Sequence, residues 1–134
     1  MQTTHSTDKD SITIQAPVIA QPDWRVIRRN GEVTQFDARK IYVAMTKAFL
    51  DVEGSSASGS ARIHDMVAQL TQQVVEALER RTAKDANVHI EDIQDQVELA
   101  MMRSGEHKVA RSYVLYREER ARVRAEKEAK SRKG

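Results

Sequence analysis

The sequence predicts an α+β fold that is mainly α: an N-terminal β-hairpin, with room for a third strand in a small sheet, packed on a four-helix bundle. Two observations carry this reading. Apolar residues recur at helical spacing in four successive stretches from Ile41 to Val123, and each stretch is apolar on one face only. Before them, Asn30-Gly31 separates two short runs of strand character, which is among the strongest short hairpin signals. Composition agrees with both. The 134 residues are 40% hydrophobic but only 4% aromatic, enough for one domain with a modest aliphatic core.

The elements follow in chain order. Residues 1–23 are rich in Thr, Gln, Asp and Pro, with apolar patches at Ile12–Ile14 and Val18-Ile19, and are expected to form a disordered or loosely attached leader. The ordered domain is expected to begin at Trp24. Trp24–Arg28 and Val33–Phe36 read as strands joined by the Asn30-Gly31 turn, both of whose residues accept positive φ. Asp37 is the candidate N-cap of a first helix, in which Ile41, Ala44, Met45 and Ala48 repeat to about Leu50.

GSSASG at 54–59 reads as a flexible loop. A second helix carries Ile63, Met66, Val67, Leu70, Val74, Ala77 and Leu78 and stops near Arg80-Arg81. Val88–Ile90 is a candidate added strand. Glu91 and Asp92 place acids on the first turn of a third helix, where the helix dipole favours them. That helix carries Ile93, Val97, Ala100 and Met101 and breaks at Ser104-Gly105. A fourth starts near Glu106 and carries Val109, Tyr113, Tyr116 and Val123. Its apolar stripe fades past Arg117, so residues 121–134 are expected to project as a charged helical tail or to fray. The tail ends without a stop signal, as a piece cut from a longer chain would.

Several function classes drop out. With no cysteine there is no disulfide, thiol chemistry or zinc ribbon. No apolar run approaches the roughly 18 residues of a membrane span, and MQTTHSTDKD is too polar for a signal peptide. A cytoplasmic location is the default. The net charge of +2 is too even to indicate nucleic-acid binding by itself. His5, His64, His89 and His107 are scattered and make no metal pattern. GSSASGS lacks the Lys of a phosphate loop. Carboxylates sit in exposed helical runs such as Glu118-Glu119, and no nucleophile has a partner base, so no catalytic residue is expected in this chain.

Charge concentrates at the hairpin. Arg25, Arg28 and Arg29 crowd its first run, and Arg39 and Lys40 follow its second. Backbone N–H groups at a tight turn and a helix start attract anions, and Arg and Lys add charge and forked hydrogen bonds. Arg28, Arg29, Asn30-Gly31 and Lys40 are therefore a candidate polyphosphate cradle; ordinary solvated surface charge is the other reading. From Arg117 to Lys133, eight positive and four negative residues interleave without an aromatic platform. That suits a solvated helix leading to another domain better than nucleic acid. A nucleic-acid-binding or gene-regulatory module using hairpin and tail is the alternative.

The order of segments resembles a known family. V-I-R-R-N-G followed by F-D-A-R-K-I resembles the opening signature of the ATP-cone domain. I-E-D-I-Q-D-Q-V-E-L-A-M-M and K-V-A-R-S-Y-V-L-Y-R-E-E-R resemble its third and fourth helices. The likeness covers about Trp24 to Arg120, with 121–134 as the linker to a catalytic domain. It implies allosteric binding of ATP or dATP, with Mg2+ and no redox cofactor in this chain. It further implies the N-terminal regulatory region of a bacterial class I ribonucleotide reductase large (alpha) subunit, with active-site cysteines and specificity site beyond Gly134. The implied partners are other reductase subunits: copies of itself through the cone, and the radical-bearing small subunit. On the family's pattern dATP inhibits through oligomerisation and ATP activates.

Site residues carry over by motif. Val26 matches an apolar residue beside the nucleotide. Arg28 and Arg29 match a Lys-Arg pair that approaches the phosphates, with Arg replacing Lys here. Asn30-Gly31 matches the turn. The segment from Thr34 through Asp37 and Lys40 to Ile41 corresponds to the stretch around base and sugar. Ile90 and Gln94 fall at the start of the third helix, where some relatives have His in place of Gln94. Arg117 and Arg120 are candidate phosphate contacts from the fourth helix.

Overall fold

The computed structural model describes residues 14–54, 60–82 and 86–133. Two short strands, β1 (Arg25–Ile27) and β2 (Val33–Gln35), open the ordered part. Helices α1 (Ala38–Glu53) and α2 (Ala61–Arg81) follow, then a third strand, β3 (Asn87–His89), and helices α3 (Ile90–Arg103) and α4 (His107–Lys133). The expected mainly helical α+β architecture is therefore present, with the third strand included. Strand order is β2-β1-β3. β2 pairs antiparallel to β1 and β3 parallel to it, with Val26 opposite both Thr34 and Val88. A parallel partner needs a long crossover, and the α1–α2 pair supplies it.

The hairpin turn differs from the expectation by one residue. Gly31 N donates to Arg28 O at 2.9 Å, so the central pair of the turn is Arg29-Asn30. Gly31 follows with φ +89, and Arg28 N donates to Glu32 O at 2.8 Å. A three-residue loop with Gly in the left-handed position has this pattern. The Asn30 side chain closes the loop by accepting from Glu32 N at 3.0 Å. The shift puts Arg29 at the tip, where its side chain is free to reach another element.

Asp37 caps α1 as expected, its carboxylate accepting from Arg39 N at 3.0 Å. A second group joins it. Gln21 Oε1 accepts from Ala38 N at 2.6 Å while its Nε2 donates to Phe36 O at 2.9 Å. One side chain from the segment before Trp24 thus satisfies two backbone groups at the strand-to-helix junction. Ile14, Ala16 and Ile19 of that segment pack, partly buried, against the core. Residues 1–13 of the expected leader and 55–59 of the expected loop lie outside the described residues.

Ser60 caps α2, and Arg80 and Arg81 stand in its last turn, where the dipole favours cations. α3 ends in a Schellman motif: Glu106 N donates to Met101 O at 2.9 Å, Gly105 N donates to Met102 O at 3.0 Å, and Gly105 has φ +86. The chain turns there into α4, which runs unbroken to Lys133, about 40 Å long. Helix α1 packs on α2 and α4, and α3 on the same two neighbours. Trp24 and Phe36 meet edge to face at 5.2 Å beneath the sheet, and Met45, Phe49, Val67, Leu70, Val97 and Met101 fill the space between helices. Among the described residues no helix is long and apolar enough to cross a membrane.

Candidate functional site

Helix α4 begins inside the bundle and leaves it. Val109, Ala110 and Tyr113 are buried, whereas Arg120, Arg122 and Arg124 are exposed. Where α4 emerges it passes the hairpin tip and the start of α3. Between these three elements lies a cavity of about 390 Å3. Its walls include Arg28, Arg29 and Asn30 from the hairpin, Ile90 and Gln94 from α3, and Tyr113, Tyr116, Arg117, Arg120, Arg124 and Glu128 from α4. Ala44 of α1 and Ala121 and Ala125 of α4 complete the lining. Small side chains at these last positions keep the cavity open.

Five arginines on one cavity set its electrostatics. Arg29 is held at the rim by Glu91 of α3, Nε to Oε2 at 3.1 Å, an ion pair between two half-exposed groups. Arg117 lies deeper. Its guanidinium sits 5.8 Å from the centre of the Tyr113 ring, one turn back on α4. Arg117 Nε and Nη1 are buried and have no hydrogen-bond partner. A buried cation with unsatisfied donors is unfavourable, so this is the point in the cavity that most wants an anionic acceptor. Burial pushes the Tyr113 phenol up to about 12, with the Arg117 charge offsetting part of the effect. Tyr113 is therefore neutral around pH 7 and adds no negative charge. Arg120 stands 5.9 Å from the centre of the Tyr116 ring, with Lys47 of α1 also near it at 5.8 Å.

Seven of the residues expected from sequence meet here: Arg28, Arg29, Asn30, Ile90, Gln94, Arg117 and Arg120. The others stand elsewhere. The Val26 and Ile41 side chains are buried in the core, and Gly31 shapes the turn without lining the cavity. Thr34, Asp37 and Lys40 border a separate concavity with Gln21, Phe36 and Arg39 at the start of α1. Asp37 is already engaged: burial would raise its carboxyl, but hydrogen bonds from Arg39 and the charges of Arg39 and Lys40 hold it below the usual value. A third groove, bordered by Asp37, Lys40, Lys47, Tyr116 and Arg120, shares Ala44, Tyr116 and Arg120 with the arginine-lined cavity. Lys40 therefore lies on the far side of a wall formed by Tyr116 and Arg120.

Sequence reasoning missed Arg124 and Glu128. The signal was present: 117, 120, 121, 124, 125 and 128 follow helical spacing and form one stripe. Apolar periodicity does not reveal it, because four of its six positions are charged. The rest of the tail is partly self-neutralised, Arg122 bridging Glu119 and Glu126 along the helix.

Comparison with known proteins places these residues in context. The family model for the ATP cone domain matches residues 24–122. Ribonucleoside-diphosphate reductase subunit alpha of Chlamydia trachomatis is 38% identical over 104 residues, which are 77% of this chain and 10% of that protein. Its counterpart in Chlamydia muridarum is 40% identical over 100 residues, 74% of this chain and 10% of that protein. The vitamin B12-dependent ribonucleoside-diphosphate reductase of Thermoplasma acidophilum is 36% identical over 108 residues, 77% of this chain and 13% of that protein. The chain thus spans about a tenth of the length of these relatives.

Proposed function

The chain belongs to the ATP cone domain family, and from that premise we propose that it binds an adenine nucleotide, ATP or dATP, as an allosteric effector in the cavity between the hairpin tip and α4. The observation that carries this reading is Arg117: a partly buried side chain, two of whose guanidinium nitrogens are buried without hydrogen-bond partners, in a cavity with four further arginines. Phosphate oxygens are the acceptors such a site calls for, because Arg forks match them bidentately. Arg28, Arg29, Asn30, Arg117 and Arg120 hold the phosphates. Ile90, Gln94 and Tyr116 offer an apolar surface and an amide for the base and sugar. Mg2+ accompanies the triphosphate and is bound through it.

The remaining expected residues act around this cavity. Val26 and Ile41 anchor the hairpin and α1 in the core, Gly31 sets the turn, and Asp37 caps the helix. Lys40 lies behind the Tyr116–Arg120 wall, where it adds positive potential, and Thr34 borders the separate concavity at the start of α1.

The regulated enzyme is a ribonucleotide reductase of which this domain is the regulatory region. ATP and dATP differ by one 2′-hydroxyl, so the domain must couple that difference to two states of unequal affinity for each ligand. In this reading dATP favours self-association of the large subunit and interrupts its productive contact with the radical-bearing small subunit, and ATP reverses it.

Isothermal titration calorimetry of the 134-residue chain tests the core of the proposal. Micromolar dissociation constants, about 8 kcal/mol of binding free energy, are expected for both nucleotides. Absence of heat at millimolar nucleotide refutes it. A salt-sensitive shift of DNA or RNA that ATP does not alter would favour the nucleic-acid alternative instead.

A further inference from the structure

The cationic wall of the cavity continues along α4 past residue 122, where the family match ends. Arg117, Arg124 and Glu128 lie on one stripe of that helix, at i, i+7 and i+11. Arg117 and Arg124 are two turns apart, about 10 Å along the axis. A chain of phosphates laid along the helix can span that spacing, each arginine taking a different phosphate. Burial falls along the stripe, from the partly buried Arg117 to the exposed Arg124. One carboxylate, Glu128, stands a turn beyond Arg124 at the end of the cavity lining.

Resting on the nucleotide reading, we infer that Arg124 is the ligand of the outermost phosphate, so that α4 reads how many phosphates the nucleotide carries. Arg117 takes the phosphate nearest the base. Arg124 is reached only by the end of a triphosphate. Glu128 limits the row, because an anion placed past Arg124 meets a like charge. The contact also ties the distal half of α4 to the hairpin, since the same polyphosphate touches Arg28 or Arg29 on the opposite wall. Occupancy by a triphosphate therefore fixes the segment of helix that leaves the domain.

Calorimetry with AMP, ADP and ATP on the 134-residue chain and its Arg124→Gln variant tests this. A charge-assisted phosphate contact corresponds to about tenfold or more in affinity. Arg124→Gln is expected to weaken ATP by that factor while AMP stays within about twofold of wild type. Glu128→Gln is expected to tighten ATP in metal-free buffer and leave AMP unchanged, by removing a like charge. In hydrogen exchange, ATP but not AMP should slow the amides of residues 121–128, and Arg124→Gln should abolish that protection. Equal loss for AMP and ATP, or no loss for either, overturns the inference while leaving the nucleotide reading intact. A wild-type chain that binds no adenine nucleotide removes both.

Discussion

Arg117→Met separates stability from binding at the centre of the site. The substitution keeps an unbranched apolar stem against Tyr113 and deletes the guanidinium. In the free domain two buried nitrogens lack partners, and each such group costs about 1–3 kcal/mol. The opposing losses are the cation–π contact with Tyr113 at 5.8 Å, about 1 kcal/mol for a partly desolvated pair, and the side-chain hydrogen bond between Arg117 and Tyr113, about 1 kcal/mol. Two such groups together cost at least about 2 kcal/mol, so the free variant should be no less stable than wild type; a gain of about 1 kcal/mol, toward the low end of the balance, raises Tm by about 4 °C for a domain of this size.

With nucleotide the order reverses. Loss of a charge-assisted phosphate contact weakens binding by about 1.5–3 kcal/mol, or roughly 10- to 150-fold. At 1 mM ATP and a micromolar dissociation constant, wild type gains about 4 kcal/mol from ligand. The variant gains only about 1–2.5 kcal/mol by the same arithmetic. Thermal melts followed by circular dichroism should cross: the variant melts higher without ATP and lower with it. A variant that melts lower in both conditions, with unchanged calorimetric affinity, would show that Arg117 is a structural strut and sink the argument.

Three further outcomes are expected. Gln21→Ala removes both hydrogen bonds at the start of α1; at about 1 kcal/mol each, a loss of about 2 kcal/mol should appear in urea unfolding at unchanged m-value. Gly105→Ala meets no neighbouring atom within 4 Å but forces a side chain into φ +86, so a penalty of about 1–2 kcal/mol should show in the same assay, with Gly105→Asn milder. Tyr113 has its pKa raised from 10.0 to about 12 by burial, so the folded state holds this proton more tightly than the unfolded chain. Its contribution, on the order of 3 kcal/mol, is fully present below pH 10 and is lost as pH rises through about 12. Tyr113→Phe should flatten that alkaline limb of the stability–pH curve.

Local chemistry made much of the fold legible. Asp37 could be read as a cap and Ser104-Gly105 as a break because those residue types satisfy or terminate helical backbone whatever surrounds them. The hairpin was legible from Asn30-Gly31, but its register was not. Both two- and three-residue loops accept that pair, and the three-residue form places Arg29-Asn30 at the tip. β3 was ambiguous for a different reason. Three residues carry too little pattern, and its parallel partner β1 lies about 60 residues earlier in the chain. Gln21 as a helix cap was not legible, since nothing local distinguishes a capping Gln 17 residues away from any polar residue in a leader.

The sequence by itself determined three amphipathic helices and a fourth whose apolar face ends midway, a basic hairpin and an order of segments specific enough to place the chain in its family. Each is encoded within a few residues of its own position. Tertiary structure alone decided which charges face one another. Arg28 and Arg29 meet Arg117, Arg120 and Arg124 across one cavity, while Lys40, nearer in sequence to the hairpin, stands behind Tyr116 and Arg120. Like charges separated by some 90 residues have no local reason to converge. Packing of α1 and α3 against the first half of α4 brings them together, and the hydrophobic core holds them there against their mutual repulsion.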